Sequence, residues 1–267
     1  MKNYYFLATM LPPLQMGTPP EIPFEEFDYL LRLNLSVSDY AQTTVIRRFY
    51  DLQNIKAFWK DEPLDPHGNF DVVELEEALI AREGFPDYVY SFLDKHDSKE
   101  ERVRFFPGLI AAYFREEIAR ATGFLREYLK FEREWRLVLI GFRAKQLDRD
   151  LAAELQFEDF QDDLVAQILA QKDAPRYLPP EGYETLEALF QEYGKLPKEL
   201  YLALDAYRFA KIESLLKLQL FSIGRILGYL VQLIAVEQWQ FLNLYSQQSP
   251  LEQQDGSEKF LNGKRTG

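Results

Sequence analysis

Apolar side chains recur along most of this chain at steps of three and four, the rhythm of one buried face of an α-helix. Phe24, Phe27, Leu30, Leu31 and Leu35 follow it first. A second helix, with Ser38 as its predicted N-cap, carries Tyr40, Val45, Phe49, Leu52, Ile55 and Phe58 on its apolar side. Shorter helices are predicted over residues 72–81 and 87–95, with a turn and a new helix start within 94–104. Proline and glycine punctuate these segments. Residues 4–8 read as a short strand or extended apolar segment, and Pro12, Pro13, Gly17, Pro19, Pro20 and Pro23 then exclude regular helix. Pro63, Pro66, Gly68 and Asn69 make residues 60–70 a loop.

Two later segments keep the rhythm longest. Phe124, Tyr128, Phe131, Trp135, Val138 and Phe142 step by 4, 3, 4, 3 and 4 residues, placing six large side chains along one helical seam, with Gly123 marking a bend upstream. A shorter helix is predicted over 157–171, then a linker around Pro175, Pro179 and Pro180. Pro197 suits the first turn of the last segment. There Leu202, Ala206, Phe209, Glu213, Leu216, Leu220, Ile223, Leu227, Leu230, Ile234, Glu237, Phe241 and Leu244 continue the pattern. Unbroken, this helix spans roughly 70 Å at 1.5 Å per residue; a kink near residues 222–224 is the alternative. Each seam is too apolar to stand alone, so the two are expected to pack on one another. The fold class predicted is all-α, an elongated bundle of long antiparallel helices with a short extended N-terminal segment. One helical domain is expected over 1–245, with an N-terminal half at 1–105 and a long-helix core at 106–245, followed by a flexible tail at 246–267.

Composition narrows the partners. Of 267 residues, 47% are hydrophobic and 28% charged, as in ordinary globular proteins. The formal net charge of -12 repels phosphate and so disfavours nucleic acid and anionic bilayers as partners. With no cysteine, disulfides, thiolate catalysis and cysteine metal sites are excluded. The first residues lack a small-residue cleavage site before Pro12-Pro13, so a secretion signal is not expected and the cytoplasm is the default.

Candidate chemistry is sparse. The two histidines are His67, in a loop, and His96, whose His96-Asp97 pair reads as a solvated turn. Neither follows a Glu by three residues, which removes the di-iron bundle class. Nucleotide-binding glycine loops and the Gly-x-Ser-x-Gly elbow are missing. The pairs Glu116-Glu117 and Asp162-Asp163 read as solvation of exposed faces. Arg126, Lys130 and Arg133, with Arg136, Arg143 and Lys145 beyond, alternate with Glu127, Glu132 and Glu134 in a salt-bridged solvent face. No catalytic residue, cofactor or metal is expected. Glu213 and Glu237 stand out because both interrupt an apolar seam. Each is either partly exposed where the seam leaves the core, or a polar contact that fixes helix register or meets a partner. Residues 220–236 hold Arg225 as their one charge and a Gly224/Gly228 pair. They fit a closely packed core helix better than a membrane span, being short for one and interrupted by Arg225 and Gln232.

Two stretches carry a resemblance. Glu134-Trp135-Arg136-Leu137, running into Phe142-Arg143-Ala144-Lys145, resembles a helix of the C subunit (d in eukaryotes) of V-type and archaeal-type ATPases. Leu227-Gly228-Tyr229-Leu230 through Glu237 is similar to that subunit's final helix. After Glu237, however, Gln238-Trp239-Gln240-Phe241 stands where the C subunit has Asn-Ile-Arg. The N-terminal Tyr4-Tyr5-Phe6-Leu7-Ala8-Thr9-Met10-Leu11-Pro12, with Pro23-Phe24-Glu25-Glu26-Phe27, is similar to a little-characterised bacterial family. Its members are encoded beside V-type ATPase subunits in groups such as Bacteroidetes, spirochaetes and chlamydiae. The resemblance implies a non-catalytic subunit, peripheral to the inner membrane on its cytoplasmic side. It would couple the central stalk to the membrane rotor ring of a bacterial V-type ATPase, with those subunits as partners. The interface or register candidates are Arg143 and Lys145, within the resembling stretch, and Glu213 and Glu237, which interrupt an apolar seam. The alternatives are a free-standing helical scaffold or interaction protein, an enzyme without a recognisable motif, and an integral membrane protein resting on residues 220–236.

Overall fold

The computed structural model describes residues 4–217 and 219–248, and among them there are twelve helices and no strand. The protein is all-α. Its contacts divide the chain into two compact units, one formed by the chain up to Arg120 together with the stretch from Leu216 onward, the other by Ala121–Leu215. The boundary expected at 105/106 falls inside a helix. No helix among the described residues is long and apolar enough to cross a membrane.

The first unit contains α1 (Tyr5–Met10), α2 (Phe24–Asn34), α3 (Val37–Trp59), α4 (Val72–Ala81), α5 (Asp87–Lys95), α6 (Lys99–Arg120) and α12 (Ile223–Gln248). Residues 5–8 are thus helical rather than extended; the backbone N–H of Tyr4, the N-cap, donates to the Phe221 carbonyl and Leu7 is buried. The run Tyr4-Tyr5-Phe6-Leu7-Ala8 is apolar throughout and too short for periodicity to separate helix from strand. α3 is capped by Ser36 rather than Ser38, its hydroxyl accepting from the Asp39 N–H. α4 and α5 match their predicted bounds, and α4 opens on a reciprocal capping box between Asp71 and Glu74. α3 is the unit's central helix, packed by α6 and α12. α12 also meets α1 and α2. Its residues 226–236 are buried on every side, so its all-round apolarity marks a core helix. At Gly228 a Cβ would overlap the Leu216 side chain, so the close approach expected of the glycine pair is made there.

The second unit contains α7 (Gly123–Gln146), α8 (Leu151–Glu154), α9 (Asp163–Leu169), α10 (Glu184–Tyr193) and α11 (Pro197–Leu215). All six seam residues from Phe124 to Phe142 are buried, and Trp135 stacks on Tyr207 at 5.4 Å. The helix predicted over 157–171 shortens to α9, because Asp162 caps it at the N–H groups of Leu164 and Val165. α10 lies between the linker around Pro175, Pro179 and Pro180 and the segment opened by Pro197, a stretch for which no element is predicted.

The last seam is corrected most. It is two helices rather than one, separated at 216–222 and belonging to different units. In α11 the buried residues are Leu204 and Ile212, while Ala206 and Glu213 on the predicted seam are exposed. α7 packs on α11, α8 and α9, whereas α12 packs on α1, α2 and α3. Within the second unit, the first half of the second seam, α11, packs on α7 as expected. α12 continues to Gln248, and the rest of the predicted tail, 249–267, lies outside the described residues.

Candidate functional site

The first unit encloses an unusual density of polar side chains. α3 alone buries Thr43, Arg47, Asp51, Asn54 and Lys56. Buried polar groups are stable only when their hydrogen bonds are met, and here the 60–71 loop meets most of them. Asn54 accepts from the Asp65 N–H at 2.7 Å and donates to the Asp65 carbonyl at 2.9 Å. Asp51 receives the Asn69 N–H at 2.5 Å and its side-chain amide at 2.6 Å. Burial nevertheless pushes the Asp51 carboxyl above its ordinary pKa, against those donors. Arg47 donates to the carbonyls of His67 and Gly68 and pairs with Asp28 of α2 at 2.8 Å. Gly68 allows this approach, since a Cβ there would lie 2.6 Å from Asp51 Oδ1.

At the centre of the loop is His67. Its Nδ1 lies 2.5 Å from Asp65 Oδ1 and its Nε2 lies 3.0 Å from Glu237 Oε2. The other Glu237 oxygen accepts the Phe24 N–H at the start of α2, at 2.7 Å. Asp65 also receives Gln238 Nε2 at 2.9 Å. The imidazole is buried, with the Phe24 ring edge-on at 4.8 Å. Burial disfavours its charge, but hydrogen bonds and charges from Asp65 and Glu237 outweigh that and raise its pKa to about 8. The same contacts overcome burial at Asp65 and lower its pKa. An imidazolium can donate from both nitrogens at once, so the arrangement is a charged clasp tying the loop, the α2 N-terminus and α12 together.

Glu237 is half-buried and bonded on one oxygen to the Phe24 N–H and on the other to His67. His67 is the partner that sequence reading missed. The only signal was the loop's Asp-Pro-His-Gly-Asn run facing a helix with charges in its interior. As chemistry the clasp is closed: both ring nitrogens already face carboxylates on opposite sides. Among the described residues no group of three or more His, Asp or Glu side chains is arranged to hold a metal ion. Elsewhere in this unit two expectations are corrected. His96 is buried between the Phe92 and Phe105 rings, each 4.7 Å away, instead of lying in a solvated turn. Glu117 is buried rather than solvated, accepting from Arg48 at 2.7 Å and from the Tyr88 hydroxyl at 3.0 Å.

In the second unit the cations of α7 divide by their partners. Arg133 bridges Glu158 at 3.2 Å and Asp162 at 2.9 Å, and Arg136 pairs with Glu158 at 3.1 Å. Lys145 donates to the Lys172 carbonyl. Arg143 has an exposed surface and enters no ion pair among the described residues. Packing around it disfavours its charge and lowers its pKa, with the Tyr201 hydroxyl opposing weakly. Glu213 is exposed on α11. Glu237 lies in the first unit, and Arg143, Lys145 and Glu213 in the second.

The model of a family described as "Protein of unknown function (DUF2764)" matches residues 1–256 of the chain. An uncharacterized protein of Chlamydia muridarum is 31% identical over 234 residues, 85% of this chain and 88% of the relative. A second, from Chlamydia pneumoniae, is 33% identical over 80% of this chain and 83% of its own. A third, from Chlamydia trachomatis, is 31% identical over the same shares. No solved structure matches.

Proposed function

This chain belongs to the DUF2764 family of proteins of unknown function, and we propose that it is a non-catalytic subunit of a bacterial V-type ATPase. In this reading it couples the central stalk to the membrane rotor ring from the cytoplasmic side. The assignment to that machine rests on the likeness of the Glu134–Lys145 stretch and the Leu227–Glu237 stretch to the C subunit. The observation that carries it is Arg143, inside the Arg-Ala-Lys element of that likeness. A cation that is partly desolvated yet lacks a carboxylate gains from one supplied by another chain. Closed polar clusters such as the His67 clasp suit a part that holds shape and transmits force better than one that turns over substrate.

The test is affinity purification of the tagged full chain from a native host in mild detergent. ATPase subunits are expected to co-purify, and Arg143→Glu is expected to reduce their recovery about tenfold, the scale of a lost charge-assisted contact, with an unchanged far-UV circular dichroism spectrum. Recovery of the chain without ATPase subunits would overturn the reading and leave a free-standing helical scaffold.

A further inference from the structure

The outward face of α4 has no explanation in the fold. This helix reads Val-Val-Glu-Leu-Glu-Glu-Ala-Leu-Ile-Ala and buries only Leu75 and Ala78. On the opposite side, two turns apart, stand Val73 and Ile80, 63% and 76% exposed, with Val72 beside them at 53%. Glu76 and Glu77 lie between the two on the same outward side. Neither they nor Glu83 enters an ion pair among the described residues. The helix is also held firmly. Its first turn is closed by the capping box, and Arg82 at its end makes two 2.7 Å hydrogen bonds to Asp94 of α5 while lying over the Tyr90 ring. A rigid apolar ridge in water, framed by unpaired carboxylates, is the pattern of a recognition surface rather than of a solvated helix.

From this ridge we infer that α4 docks an amphipathic helix of a partner protein that carries Lys or Arg beside its apolar stripe. Charge complementarity selects this occupant. A second copy of the same face would set Glu76 and Glu77 against their own kind, and an anionic bilayer would be repelled. A basic-flanked apolar helix covers Val73 and Ile80 and pairs both carboxylates, the helix-on-helix form of recognition. Two turns give a small footprint, so the contact is a transient one. This inference does not depend on the ATPase assignment.

The experiment uses the full chain and two five-turn helical peptides that share one Leu/Ile stripe and differ only in flanking Lys or Glu, read by fluorescence anisotropy. The Lys peptide is expected to bind, and to weaken about tenfold on raising salt. The pair Val73→Ser and Ile80→Ser removes exposed side chains and leaves the core intact. It is expected to cut binding by a similar factor, and Glu76→Lys with Glu77→Lys to transfer preference to the Glu peptide, a gain that a misfolded chain cannot show. Failure of the Lys peptide to bind, equal binding of both peptides, or indifference to either pair of substitutions would overturn the inference. So would a dimer in sedimentation equilibrium that dissociates on Ile80→Ser.

Discussion

His67 is a side chain whose burial opposes its charge while two carboxylates favour it, and the balance sets a pH window. Its pKa rises from 6.5 to about 8 in the folded chain. A group whose folded pKa is raised gives its full stabilisation below the unfolded value and loses it as pH climbs through the folded one. The clasp therefore holds below pH 6.5 and is spent by about pH 8. Lys56 runs the other way: burial, with Lys60 adding to it, lowers its pKa from 10.5 to about 8, so its unfavourable charge is relieved above that pH. Urea denaturation across pH 6 to 10 should show stability falling by ~2 kcal/mol at most towards a minimum near pH 8, then recovering. His67→Gln should abolish the fall alone; a profile unchanged by that substitution would show that the clasp stores no charge. At this scale Glu237 stood out because a carboxylate in an apolar seam needs either a hydrogen-bond partner or an outlet to solvent, and it is half-buried with partners on both oxygens. His67 did not stand out, because a lone histidine in a Pro- and Gly-rich loop is silent until the loop is folded onto α3.

Among the elements, α7 was the most legible and the α11–α12 segment the least. Six large residues at heptad spacing leave one consistent buried face, and α7 buries all six. Trp135→Ala should accordingly cost about 3–5 kcal/mol, as core aromatic truncations do, measured by denaturant unfolding of the second unit's signal. A loss below ~1 kcal/mol would mean that the ring contributes little packing. In the last segment the same rhythm ran on through Leu216 to Ile223 and joined two different faces into one apparent seam. α11 buries Leu204 and Ile212, off that line, and α12 buries every face over 226–236, where periodicity carries no information. α10 went unseen for a related reason: a ten-residue helix among prolines and glycines with one buried residue, Leu186, offers little pattern to read.

For the molecule as a whole, the all-α class and the absence of a spanning helix among the described residues followed from hydropathy rhythm and interrupting polar residues. The division into two units did not, because it depends on where the chain after Leu215 returns, a long-range contact that local pattern does not encode. A net charge of -12 and the carboxylates that frame the apolar ridge of α4 are the features on which the proposed basic partner helix rests. The proposed role as an ATPase coupling element is tested most directly by a cryo-EM map of the native V-type ATPase from a bacterium that carries a family member. Density for this helical chain is expected between the central stalk and the membrane rotor ring. A complete enzyme resolved at that position with a different subunit, and without this chain, would contradict that role.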